Sequence, residues 1–125
     1  MGDDQKRILL VDDDPDVLTC IEIALKGKGY EVILARDGAE GLARAERDAP
    51  DLIILDLVMP QRSGFAVLSR LRCNVARSPR IILLTANNEP RFREFAESNG
   101  ADVFLSKPFE VSALIDEVEA LLESC

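Results

Sequence analysis

At 125 residues the chain is of single-domain size, long enough to bury a core without disulfide or metal staples. Its net charge of -8 provides no basic stripe to neutralise phosphates and so argues against direct nucleic-acid contact, and no apolar run approaches the length of a membrane span. The lack of any histidine excludes a histidine-based triad, a histidine phosphodonor and most catalytic zinc sites. The start, Met1-Gly2-Asp3-Asp4-Gln5-Lys6-Arg7, is polar and is no signal peptide, so the expected location is the cytoplasm. It leads into Ile8-Leu9-Leu10-Val11, which reads as a first strand. From about Pro15 to Lys28 the apolar spacing turns helical, with Val17, Ile21, Ala24 and Leu25 on one face and Gly29 placed to end the helix. Val32-Ile33-Leu34-Ala35 reads as a second strand whose weaker run suits a sheet edge, and Ala39, Leu42 and Ala43 mark a short second helix closed near Pro50.

Leu52-Ile53-Ile54-Leu55 runs straight into Asp56 and reads as a strand buried on both faces, with a carboxylate at its tip. Phe65, Leu68 and Leu71 mark a third helix after Gly64. Ile81-Ile82-Leu83-Leu84 follows as a fourth strand. Phe92, Phe95 and Ala96 mark a fourth helix ended by Asn99-Gly100, and Val103-Phe104-Leu105 is the fifth strand. Leu114, Val118, Leu121 and Leu122 form the face of a last helix. Five strands alternating with five helices imply a parallel sheet with right-handed connections and helices on both faces. Three cysteines, Cys20, Cys73 and Cys125, fall at no metal-like spacing and read as reduced thiols.

Parallel strands place their carboxyl ends on one edge of the sheet, where ligands bind. The first strand ends in Asp12-Asp13-Asp14, the third in Asp56, the fourth in Thr85-Ala86 and the fifth in Ser106-Lys107-Pro108. The second ends in Ala35-Arg36-Asp37, which looks like ordinary surface. Carboxylates gathered about 4 Å apart in a partly exposed site repel by on the order of 1–4 kcal/mol per pair, so something must offset them. An all-oxygen donor set suits a hard divalent cation that shares its shell with a phosphate. Thr85 offers a hydroxyl donor, and Lys107, the only lysine after Lys28, offers a compact positive charge. These are the parts that phosphoryl transfer needs, and a carboxylate can itself be the nucleophile. Asp14 precedes Pro15 and reads as a helix N-cap, not as part of the cluster.

Taken together, Val11-Asp12-Asp13-Asp14, Leu55-Asp56-Leu57-Val58-Met59-Pro60 with Gly64, Leu84-Thr85-Ala86, and Gly100-Ala101-Asp102 through Phe104-Leu105-Ser106-Lys107-Pro108-Phe109 resemble the receiver (CheY-like) domain of two-component response regulators. The resemblance covers essentially the whole chain, residues 1–125, as a single receiver domain without an output domain. It implies a flavodoxin-like, doubly wound α/β sandwich with strand order 2-1-3-4-5. It also implies that Asp56 is the phosphoacceptor, that Asp13 and Asp56 ligate Mg²⁺ (or Mn²⁺) directly with Asp12 acting through water, and that the Val58 backbone carbonyl is a further ligand. Thr85 would be the hydroxyl that moves onto the phosphoryl group, Lys107 its charge partner, and Phe104 the aromatic switch; Lys107-Pro108 would carry a cis bond. The implied donor is a sensor histidine kinase or phosphotransfer protein. The implied receiver of the signal is an effector protein or output domain that meets the surface of the fourth helix, fifth strand and fifth helix.

Other classes fit less well. A Mg²⁺-dependent phosphatase of the haloacid dehalogenase type usually carries a second aspartate two residues after its nucleophile, where this chain has Val58, and its acidic pair comes late in the chain. A flavin carrier would have a Ser/Thr/Gly-rich phosphate loop after the first strand, where this chain has three aspartates. A receiver-like module that binds partners without being phosphorylated would not need the complete constellation. A receiver excised from a hybrid kinase or multidomain regulator has the same sequence signature as a stand-alone one.

Overall fold

The computed structural model describes residues 5–56, 70, 79–85, 90–98, 100–107 and 109–123. Its strands are β1 (Arg7–Val11), β2 (Glu31–Ala35), β3 (Leu52–Asp56), β4 (Arg80–Thr85) and β5 (Val103–Ser106). They form one all-parallel sheet of order β2-β1-β3-β4-β5, the flavodoxin-like order expected. β3 lies between β1 and β4 and every one of its residues is buried, which explains its unbroken apolar run. β2 and β5 are the edge strands, and Val32, Ile33 and Leu34 on β2 are only half-buried.

Side chains alternate across each strand, and the two sets build two cores. Leu9, Val11, Ile53, Leu55, Ile81 and Leu83 point to one face and pack with Ala35 and with Ala45 of α2 (Gly38–Asp48). Ile8, Leu10, Leu52, Ile54, Ile82 and Leu84 point to the other, under α1 (Pro15–Gly27) and the Val111–Glu123 helix. Burying a Leu or Ile side chain contributes roughly 1.5–3 kcal/mol, so these two layers hold the strand ends rigidly enough to define a site.

α1 begins as expected: Asp14 is the N-cap, its Oδ1 accepts the Asp16 N–H at 2.9 Å, and Pro15 opens the helix. Gly29 follows its end at φ 93, a left-handed conformation that glycine adopts without strain. The buried face of α1 is Leu18, Ile21 and Leu25, with Val17 and Ala24 at its margin, so the expected face is rotated toward Leu18. The face expected for α2 is corrected. Ala39 and Ala43 are exposed, and the helix instead turns Gly38, Gly41 and Ala45 inward, with Leu42 half-buried. Gly41 lies so close to β1 that a Cβ there would meet Val11 Cγ2 at 3.0 Å. A contact made by missing atoms leaves no apolar signal to read. Asp37, taken for plain surface, caps α2: its Oδ1 accepts the Glu40 N–H at 2.8 Å while Glu40 Oε1 accepts the Arg36 N–H at 2.8 Å.

The expected fourth helix is Pro90–Ser98, followed by Gly100 at φ 82. The last helix, Val111–Glu123, buries Leu114, Ile115, Val118 and Leu122, and Leu121 is half-buried. The third expected helix after Gly64, the Met59-Pro60 turn, the side chains of Phe92, Phe95 and Ala96, and Pro108 lie outside the described residues.

Candidate functional site

The alternation that builds the two cores also sorts the residues at the carboxyl edge. Asp12 stands one residue past β1, and its N–H still donates to the Ala35 carbonyl at 3.1 Å, so it keeps the strand's rhythm and follows Ile8 and Leu10 onto the α1 side. Asp56 ends β3 on that side too, in step with Leu52 and Ile54. Lys107 stands one residue past β5; its N–H donates to the Thr85 carbonyl at 2.6 Å and it is in step with Val103 and Leu105. Thr85 falls on the opposite side in step with Ile81 and Leu83, and so does Phe104, which is aligned with Leu83. Strand parity therefore gathers two carboxylates and an ammonium on one side, and the hydroxyl and the aromatic ring on the other.

Lys107 Nζ donates to Asp12 Oδ2 at 3.1 Å and to Asp56 Oδ2 at 3.3 Å. Asp12 is fully buried, Asp56 nearly so, and Asp13 is exposed. One carboxylate oxygen from each of Asp12, Asp13 and Asp56 lies within 4.8 Å of the others, the one such acidic cluster among the described residues. Asp12 Oδ1 also accepts the Asp14 N–H at 3.0 Å, which fixes its orientation. Burial alone would lower the Lys107 pKa, but the Asp56 and Asp12 charges and the two hydrogen bonds outweigh it, and the ammonium is held above its ordinary range. Among the described residues, three carboxylates in an all-oxygen donor set face one ammonium, an excess of two negative charges. That charge and that chemistry fit a hard divalent cation.

Thr85 is fully buried at the end of β4, and Phe104 is half-buried one strand away. The Arg93 guanidinium lies over the Phe104 ring, 5.2 Å from its centroid. No pattern in the sequence singles out Arg93, because an exposed arginine on a helix has the same spacing whether or not it meets a ring on the sheet below. A cavity of about 490 Å³ also opens beside Lys107, lined largely by Val17, Cys20, Ile21, Phe109 and Val111. Cys20, read only as a reduced thiol, is exposed at its wall. The Val58 carbonyl and the Lys107-Pro108 bond lie outside the described residues.

Comparison with known proteins agrees with this geometry. Residues 8–119 match the family model described as the response regulator receiver domain. The chain is 38% identical over 117 residues to the alkaline phosphatase synthesis transcriptional regulatory protein PhoP of Bacillus subtilis, covering 94% of this chain and 48% of the relative. It is 42% identical over 118 residues to the DNA-binding dual master transcriptional regulator RpaA of Synechocystis, covering 93% and 48%. The chain thus spans about half the length of the curated relatives it matches. Among solved structures, it is similar to a CheY-like response regulator receiver domain protein from Methanospirillum hungatei, with TM-score 0.89, 31% identity and coverage of 95% of each chain. It is also similar to the chemotaxis protein CheY4 of Vibrio cholerae, with TM-score 0.87, 30% identity and coverage of 94% of this chain and 98% of that one. No helix among the described residues is long and apolar enough to cross a membrane.

Proposed function

This chain belongs to the response regulator receiver family, and on that footing we propose that Asp56 is the carboxylate that takes up a phosphoryl group and that residues 1–125 form a single receiver unit. An Asp56 oxygen attacks the phosphorus of a partner's phosphohistidine or of a small acyl phosphate. The new P–O bond forms as the bond to the donor nitrogen or oxygen breaks, and the leaving group keeps the electron pair. Asp12, Asp13 and Asp56, with the Val58 carbonyl, are the residues that would hold Mg²⁺ or Mn²⁺, which when bound supplies positive charge to the transferred oxygens. Lys107 holds Asp56 in place beforehand and lends a point charge to the incoming group. The Thr85 hydroxyl, at the end of the neighbouring strand one position past Leu84, which aligns with Asp56, donates to the transferred group once it arrives.

The product carries up to about two additional negative charges and strong acceptor oxygens. Drawing Thr85 toward it vacates space on the face that Thr85 shares with Phe104, and Phe104 turns into it. The surface of the Pro90–Ser98 helix, β5 and the Val111–Glu123 helix then favours a different partner, as a population shift between two packings. The donor is a sensor histidine kinase or phosphotransfer protein. The reader is an effector protein or output domain. The chain acts as a signalling module that promotes only its own phosphorylation and dephosphorylation. Its net charge of -8 supports protein partners over direct contact of these residues with nucleic acid.

The observation that carries this reading is Lys107 Nζ bridging Asp12 and Asp56 inside a cluster of three carboxylates. Incubation with acetyl phosphate and Mg²⁺ is expected to add one phosphoryl group by intact mass, and Asp56→Asn to abolish the gain. No gain in the wild type, or an equal gain in Asp56→Asn, removes the reading.

A further inference from the structure

We propose that Arg93 is a positioning residue that holds the Phe104 ring in its resting place, so that its guanidinium sets how readily phosphorylation at Asp56 reaches the surface around β5. The proposal rests on the reading of Asp56 as phosphoacceptor and of Phe104 as the group that moves.

Phe104 is aligned with Leu83 across the β4–β5 ladder and points to the same face as Thr85. Thr85 is two positions further along β4, so the two side chains are diagonal neighbours, about 8 Å apart at their Cα atoms and within reach of an aromatic ring. The ring is half-buried against the core that contains Leu83 and Ile81. Its outer face is covered by Arg93, whose guanidinium carbon is 5.2 Å from the ring centroid. That is inside the limit of roughly 6 Å for an attractive cation–π contact.

Two features of residue chemistry make this contact the natural hold. A phenylalanine ring has no hydroxyl, so no hydrogen bond can anchor it in the outward position as a tyrosine could be anchored; its π face is the polar handle left. Arginine suits that face better than lysine, because its planar and weakly hydrated cation stacks on a ring at low desolvation cost. Arg93 reaches Phe104 from the Pro90–Ser98 helix, an element of the proposed output surface. A turn of the ring toward Thr85 would take it out from under the guanidinium. The contact therefore exists in one packing and not in the other, and it weights the resting packing against the switched one.

By linkage, whatever fills the phosphoryl position must overcome that weight, and removing it must tighten binding of a phosphoryl mimic. Exposed cation–π contacts correspond to about two- to fivefold in an equilibrium constant. In beryllofluoride titrations with saturating Mg²⁺, followed by amide NMR shifts, Arg93→Ala is expected to bind about two- to fivefold more tightly than the wild type. In a Phe104→Leu background, which keeps an apolar side chain on β5, Arg93→Ala is expected to change nothing. In the apo protein, the Arg93 Hδ protons are expected upfield of their usual position and to return in Phe104→Leu. An unchanged affinity in Arg93→Ala, an equal change in the Phe104→Leu background, or unshifted Hδ protons overturns the latch and leaves the phosphoacceptor reading standing. A wild type that does not bind beryllofluoride at all overturns both.

Discussion

The two ends of the sheet handle charge in opposite ways. At the amino edge, the acids lie apart, held by hydrogen bonds and ion pairs with Arg7, Arg80 and backbone N–H groups. Asp51 Oδ2 accepts the Arg7 N–H at 2.9 Å, Glu31 pairs with Arg7 Nε at 3.3 Å, and Asp102 takes both the Ile81 N–H at 2.8 Å and Arg80 Nη1 at 3.3 Å. Arg7 Nη1 further donates to the Asp48 carbonyl at 2.9 Å. These bonds finish the backbone accounting where strands begin. At the carboxyl edge, Asp12, Asp13 and Asp56 crowd within 4.8 Å around one lysine. Nothing in strand geometry requires that crowding. An edge built for stability spreads its charges and balances them, whereas one built to bind keeps an excess of one sign for a ligand to neutralise.

The largest expected effect is at Lys107, the cation that bridges the crowded edge. Lys107→Met removes the ammonium that bridges two buried carboxylates and should cost about 3 kcal/mol in denaturant titrations without divalent metal, the low end for breaking a buried pair because Lys107 is itself partly exposed. A loss under about 1 kcal/mol would place Lys107 with ordinary surface lysines. Alkaline titration sharpens the point. The native Lys107 pKa is raised, so the folded state keeps its proton where the unfolded chain has lost it. Its contribution is therefore full below the ordinary lysine pKa and disappears as pH rises through the native one. Tyr30, also raised by burial and by Glu119 and Glu123, bends the curve the same way, so the measure is the difference between the wild type and Lys107→Met.

At the amino edge the corresponding change is smaller and local. Asp102→Ala removes the acceptor of the Ile81 N–H and is expected to cost about 1–2 kcal/mol, nearly all of it from that orphaned donor. Arg80→Ala, which removes only the exposed half of the pair, should cost less than about 0.5 kcal/mol. Equal costs for the two would mean that the ion pair, not the backbone bond, does the holding.

Much of this division could be read before any coordinates. The apolar runs fix where strands lie, and the residue after each run must project at the sheet edge, so Asp12, Asp56, Thr85 and Lys107 were placed by counting. Asp14 was separable from Asp12 because Pro15 marks a helix start. The inner face of α2 was misread because its closest contact is Gly41 against Val11, and glycine contributes nothing to hydrophobic spacing. Arg93 over Phe104 was illegible for a different reason: the contact depends on where a helix sits over the sheet, which pattern does not encode. The amino-edge bonds were missed because Asp51 and Asp102 fall just outside apolar runs, as turn residues do.

One further substitution at the crowded edge separates the two edges by the sign of its effect. Among the described residues, Asp12 and Asp13 repel the Asp56 carboxylate and Lys107 attracts it. Asp56→Asn keeps the shape and an oxygen for Lys107 while removing that charge from a nearly fully buried position. Without divalent metal it should stabilise the fold by about 1 kcal/mol. With Mg²⁺ in excess the order should reverse, because a cation that binds only the native state stabilises the wild type by mass action and the variant has lost a ligand. Asp102→Ala, at the edge that holds its charges in pairs, should destabilise equally in both conditions. A melting-temperature series in EDTA and in Mg²⁺ reads all four values. If Asp56→Asn and Asp102→Ala respond to Mg²⁺ alike, the crowded edge holds no cation and its excess charge needs another explanation.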